Sequence, residues 1–234
     1  MFRYETHLHT SACSDCSRNM AKEMVHAAKN AGLSGIIITN HFFHGNTAVD
    51  RRLPWEKFVG AYRDDYLTAK EEGAKIDIDV FFGIEEVFAS GKEALIYGLS
   101  PEVVISAPQM RDMTLPELCD FVHKNGGLLY HAHPFRCRDY IAHPFSTPDM
   151  RYFDGIEVFN QNNSSLSNKM ARDFAVKYNL SVISGGDSHT VDDLGKAGIS
   201  FEKRISSPDE LVKMLREKNY KLICNGKEKE LSDI

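Results

Sequence analysis

Short apolar runs alternate with amphipathic stretches along the whole 234-residue chain. The runs Phe2–Thr6, Gly35–Thr39, Ile78–Ile84, Ala94–Tyr97, Leu128–Tyr130, Gly155–Phe159, Ser181–Ile183 and Lys221–Cys224 predict strands. Most are apolar on both faces, as strands buried in a parallel sheet are. Between them, Asn19–Ala31, Trp55–Glu72, Thr114–Asn125, Ser165–Tyr178 and Pro208–Lys218 repeat apolar residues at three- and four-residue spacing and predict helices. Thr114-Leu-Pro-Glu117 is a capping box with Pro in the first turn, and Ser207-Pro208-Asp209-Glu210 is a second helix start. No linker, repeat or long charge run divides the pattern, so the reading is a single α/β domain over residues 1–234. Repeated strand–helix units in this length predict a closed or nearly closed barrel, which usually needs about 250 residues. No Gly-rich dinucleotide or phosphate loop argues for an open doubly wound sheet instead.

Composition adds exclusions. With 42% hydrophobic and 26% charged residues the chain is neither disordered nor low-complexity. A net charge of -5 argues against a nucleic-acid partner held by bulk electrostatics, leaving at most a nucleotide. No apolar run approaches the roughly 20 residues that span a bilayer. The N-terminal residues MFRYETHLHT have no signal-peptide core, so the expectation is a cytoplasmic protein without a membrane partner. Five Cys without framework spacing fit a reducing compartment. Ten His stand out.

Six of those His, with Glu85 and Asp187, fall just past the C-terminal ends of predicted strands: His7, His9, His41, His131, His133 and His189. In a parallel barrel these ends share one rim, where active sites are built. Taken singly, each of these His is explained by a hydrogen bond to a loop; six in phase with strand ends predict a metal site. Alternate residues of an extended strand project to one side, so His7 and His9 can grip one ion together. Imidazole and carboxylate suit Zn, Mn or Fe, and a shared carboxylate can bridge ions about 3.5–4 Å apart.

His7-Leu-His9-Thr10, Thr39-Asn-His41, Gly83-Ile-Glu85, Ala132-His133-Pro134 and Gly186-Asp187-Ser188-His189, in this order, resemble the successive motifs of the polymerase and histidinol phosphatase (PHP) domain family. The resemblance covers residues 2 to 190. It implies a distorted (β/α)7 TIM-like barrel, two or three divalent metal ions at the strand C-termini, and hydrolysis of phosphate esters. By resemblance, His7, His9, Glu85 and Asp187 hold one metal, and Glu85 bridges to a second that His133 also binds. Asp15, His41 and His189 hold a third, the loop 11–17 offering Ser14 or Asp15 as its polar ligand. Two positions depart from the family pattern. Leu95 stands where many relatives have His, leaving the second metal weak, absent or completed by His131. Asn40 replaces a common Asp, which lowers the basicity of its neighbour more than it abolishes binding.

The implied chemistry is attack on a small phosphorylated substrate by a metal-activated hydroxide. His131, His189 or water protonates the leaving group, and Arg136, with Arg138 nearby, grips the phosphate by bidentate hydrogen bonding. Lys92 and Arg111 are more remote phosphate candidates, and the loops 42–53 and 134–151 hold the substrate end. Cys13-x-x-Cys16 adjoins His9 and leaves thiolate ligation open. Other readings are a histidinol-phosphate or protein-tyrosine phosphatase of the same fold, or a catalytically weak metal-binding regulatory module.

Overall fold

The computed structural model describes all 234 residues. Its elements are β1 (Phe2–Leu8), α1 (Ala21–Asn30), β2 (Gly35–Ile38), α2 (Trp55–Ile76), β3 (Asp79–Ala89), β4 (Lys92–Tyr97), α3 (Pro101–Ile105), α4 (Leu115–Lys124) and β5 (Leu128–His131). There follow β6 (Gly155–Asn160), α5 (Ser165–Tyr178), β7 (Val182–Gly185), β8 (Ala197–Phe201), α6 (Pro208–Glu217), β9 (Lys221–Cys224) and β10 (Lys227–Lys229). The helix starts are capped as the sequence predicts: Glu117 accepts from Thr114 N at 2.8 Å, and Ser207 Oγ accepts from Glu210 N at 3.1 Å.

All ten strands form one mixed sheet, in the order β10-β9-β8-β1-β2-β3-β4-β5-β6-β7. β1 to β3 pair in parallel, as do β5 to β7. β4 is antiparallel to both its neighbours. The cause is local: Ser90 and Gly91, both at positive φ (44° and 81°), make a tight hairpin in place of a crossover connection. The uniform succession of seven strand–helix units is therefore corrected. The sheet curls until the segment after β7 returns to β1, where Leu8 bridges Ser188 in parallel and Thr6 Oγ1 donates to Ser184 O at 2.6 Å. β8, β9 and β10 extend antiparallel from β1. The sequence pattern predicts neither β8 nor β10, the latter with its side chains largely exposed.

Two apolar clusters hold the layers together. One packs α1, α2 and α4 on the sheet through residues such as Met24, Phe58 and Leu118. The other joins Tyr4, Leu95, Tyr97 and Tyr130 to Leu211 and Leu215 of α6. Each fully buried large side chain contributes roughly 1.5–3 kcal/mol, which fixes the strand ends on which the polar residues sit. No helix is long and apolar enough to cross a membrane.

Candidate metal centre

Five strands deliver polar side chains to one point of the rim. His7 lies in β1 and His9 just beyond it, while Leu8 between them enters the core. His41 follows β2 and forms a parallel bridge with Glu85 of β3. His133 follows β5, and Asp187 and His189 follow β7. His7 Nε2 stands 3.1 Å from Glu85 Oε1 and 3.5 Å from Asp187 Oδ1. His9 Nε2 is 3.3 Å from Glu85 Oε2 and 3.2 Å from Asp187 Oδ1. Glu85 also meets His41 Nδ1 and His133 Nε2, each at 2.9 Å. The His41 and His189 rings stack on His9 at 4.4 and 4.3 Å.

His7 Nε2, His9 Nε2, His41 Nδ1, Glu85 Oε2 and Asp187 Oδ1 are buried without a hydrogen-bond partner. Neighbouring atoms among them lie 2.9–3.5 Å apart without directed hydrogen bonds, a donor set that fits divalent cations. Without a cation the cluster neutralises itself. Burial disfavours charge on His7, yet Glu85, Asp187 and Glu157 push its pKa well above the ordinary value. Burial likewise opposes ionisation of Glu85 and Asp187, but His7 and His41 hold the first, and Arg136 and His7 the second, well below the carboxylate range. His9 goes the other way, lowered by burial and by His41.

A surrounding layer aims these groups. Glu157 accepts from His7 Nδ1 and from His133 N, both at 3.0 Å, and from Asn160 Nδ2 at 2.9 Å. Ser14 Oγ sits 3.1 Å from His9 Nδ1, accepts from His41 N at 3.0 Å and donates to Asn40 Oδ1 at 2.9 Å. Glu5, fully buried and raised by that burial to about 7, accepts from Gly186 N at 2.7 Å and Ser188 Oγ at 3.2 Å, tying the last ligand loop to β1. Glycine is required at this junction: a Cβ on Gly185 would lie 2.3 Å from Glu157 Oε1, and one on Gly186 2.4 Å from Glu5 Oε2. His133 and Asp187 themselves adopt positive φ, 28° and 52°, a strained conformation that clusters at functional sites.

Arg136, 7% exposed, pairs with Asp187 Oδ2 and donates to Asn160 Oδ1 at 3.1 Å and Asn163 Oδ1 at 3.0 Å. Beside it opens a polar cavity of about 880 Å³, whose walls include Arg18, Arg138, Tyr140 and His189.

Comparison with known proteins follows this geometry. A family model described as PHP-associated matches residues 165–220. An uncharacterized protein of Methanocaldococcus jannaschii is 33% identical over 107 residues, which is 43% of this chain and 45% of that protein; the match thus spans less than half of the relative's length. A two-domain protein of Bacteroides vulgatus, containing a predicted PHP-like metal-dependent phosphoesterase, superposes with a TM-score of 0.69 at 16% identity, covering 97% of this chain and 66% of that one. A predicted metal-dependent phosphoesterase of Bifidobacterium adolescentis gives 0.57 at 15% identity, over 91% and 95% of the two chains. Residues 165–220 are thus similar to a PHP-associated segment, and the chain shares the fold of these two solved structures. A lesion-specific endonuclease of Pyrococcus furiosus superposes with a TM-score of 0.64 at 12% identity, over 94% of this chain and 57% of that one.

On this fold, His7, His9, His41, Glu85, His133, Asp187 and His189 come together. Asp15 does not: it is exposed, and the loop turns Ser14 inward instead. The thiol of Cys16 lies beside His189 and His41, whose hydrogen bonding outweighs burial and lowers it to about 6. His131 is also placed apart. Fully buried, it packs against Phe88 and Phe153 at 5.4 and 5.3 Å with neither ring nitrogen bonded, which corrects the readings that made it a proton donor or a second-metal ligand. Lys92 Nζ donates to Pro134 O and Pro144 O, each at 2.7 Å, and anchors the 134–144 loop rather than a phosphate. Arg111 covers the Phe43 and Trp55 rings, and Phe42 is buried among Trp55, Phe58 and Tyr62.

The residue the sequence reading missed is Glu93. Because β4 runs backwards, its rim end is its beginning, and Glu93 sits two residues nearer the rim than Leu95 on the same face. Leu95, where a ligand had been sought, lies in the core. The Ser90-Gly91 hairpin signal was the clue available.

Proposed function

We propose that this protein is a metal-dependent phosphoesterase acting on a small phosphorylated substrate, with two or three divalent ions, Zn, Mn or Fe, in the centre. The observation that carries the reading is the set of unpartnered donor atoms converging beside a buried arginine at the wall of an open polar cavity. When bound, such ions act as Lewis acids toward phosphate oxygens and supply a nucleophile at neutral pH.

His7, His9, Glu85 and Asp187 would hold the first ion, Glu85 and His133 the second, and His41 and His189 the third. The chain's own residues then do the rest. The Arg136 contacts to Asp187, Asn160 and Asn163 use three of its five N–H groups and fix the guanidinium plane, leaving two for a phosphate. Arg18 and Arg138 widen the cationic wall, matching a substrate that carries negative charge. His189 is half-buried at the cavity; burial opposes its charge, but Cys16 and Asp187 raise it, so with the third ion absent it would hold a proton for a leaving oxygen, and with that ion bound it would serve as ligand and water would give the proton. The cavity volume suits a metabolite or nucleotide.

The test is a hydrolysis screen of phosphate mono- and diesters with protein loaded with Mn(II), Zn(II) or Fe(II), alongside elemental analysis. Turnover that disappears on chelation and returns with metal is expected. A fully loaded protein that hydrolyses no ester overturns the reading.

A further inference from the structure

Glu93 is 5% exposed, yet no fixed side-chain cation faces it. Its Oε1 lies 3.3 Å from His41 Nδ1 and its Oε2 3.4 Å from His133 Nε2, and Oε2 has no hydrogen-bond partner. The buried cations of the rim are engaged elsewhere, Arg136 with Asp187 and Lys92 with two backbone carbonyls. His41, Glu85 and Glu93 form a group whose donor atoms all lie within 4.8 Å of one another. Two largely buried carboxylates side by side are held together by positive charge, and imidazoles alone supply it only while protonated.

The two ends of the centre differ in chemistry. Around His9, His41 and His189 the donors are imidazole nitrogens. Around Glu85, Glu93 and His133 they are mostly carboxylate oxygens. Oxygen ligands suit Mn(II) and Mg(II), whereas imidazole suits Zn(II). Resting on the reading that the centre holds divalent ions, we propose that Glu93 is a ligand of the ion at the Glu85–His133 end and tilts that subsite from Zn(II) toward Mn(II). Leu95, where the family resemblance implies an imidazole, lies in the core, and the side chain that reaches the centre from this strand is the anionic oxygen donor Glu93, which changes which ion the subsite selects.

The experiment uses the full chain, stripped with a chelator and then titrated with Mn(II) alone, free Mn(II) being read by electron paramagnetic resonance, and with Zn(II) against a chromophoric chelator. Glu93→Gln is expected to lose one bound Mn(II) equivalent, or to bind it at least about tenfold more weakly, with Zn(II) at the imidazole end retained. Glu93→His is expected to recover the equivalent while shifting the Zn(II)/Mn(II) affinity ratio at least about tenfold toward Zn(II); its recovery also shows that the variant folds. Unchanged Mn(II) stoichiometry and affinity in Glu93→Gln, or an unchanged ratio in Glu93→His, overturns the proposal. A wild-type chain that binds neither ion overturns it together with the metal reading. Binding as expected without hydrolysis of any ester upholds it and overturns only the phosphoesterase reading.

Discussion

Removing Arg136 separates two roles of one side chain. In the metal-free protein its guanidinium is the buried partner of Asp187, and Arg136→Ala leaves that carboxylate uncompensated in a site where Asp187 is 1% exposed. Breaking a buried pair from one side costs about 3–5 kcal/mol. For a chain of this size each kcal/mol lowers Tm by roughly 2–4 °C, so the metal-free variant should melt about 6–20 °C below wild type. Bound cations compensate Asp187 instead, so the gap should shrink to a few degrees at saturating Mn(II). Catalysis behaves in the opposite sense. A charge-assisted hydrogen bond to a phosphate contributes about 1.5–3 kcal/mol, so kcat/KM on a phosphate monoester should fall about 10- to 150-fold with metal content unchanged. The assays are thermal melting by circular dichroism with and without metal, and p-nitrophenyl phosphate hydrolysis. Equal melting temperatures of the two metal-free proteins would refute the ion-pair reasoning, and an unchanged kcat/KM would remove Arg136 from the phosphate site.

Three further outcomes are expected. Asp187→Asn should lose bound metal and hydrolysis together, by elemental analysis and initial rates; either one surviving intact contradicts its place in the first-ion set. Cys16, held down to about 6 by His189 and His41, should be alkylated by iodoacetamide with a rate that rises as pH climbs through about 6 and levels off above it, because the thiolate is the nucleophile; a midpoint near an ordinary thiol's, about 8.5, contradicts the placement. Gly185→Ala brings a methyl within 2.6 Å of the His7 Cβ as well as against Glu157, so metal affinity should drop at least about tenfold by calorimetric titration while the chain stays folded.

The residues legible in the sequence were those whose position depends only on strand alternation and strand ends. His7 and His9 share a face because a strand alternates, and Asp187 and His189 follow a strand that ends at Gly185. Nothing further was needed to bring them near Glu85. Glu93 was hidden because its place depends on strand direction, and direction was set by two turn residues rather than by the apolar run that follows them. His131 misled for a different reason: two residues before His133, it would share its face in a continued strand, but the strand ends at His131 and His133 turns through a positive φ of 28°, which leaves His131 among Phe88 and Phe153. Glu5 and Glu157 looked like ordinary strand carboxylates, and only the curl of the sheet shows that they serve backbone amides and imidazoles on other strands.

Adjacent residues of β4 face opposite ways, Glu93 toward the ligand cluster and Lys92 toward the carbonyls of Pro134 and Pro144. The strand therefore works as a short lever with a charged grip at each side. One strand thus reaches the ligand cluster with one side chain and, with the next, pins the loop that carries Arg136 and Tyr140.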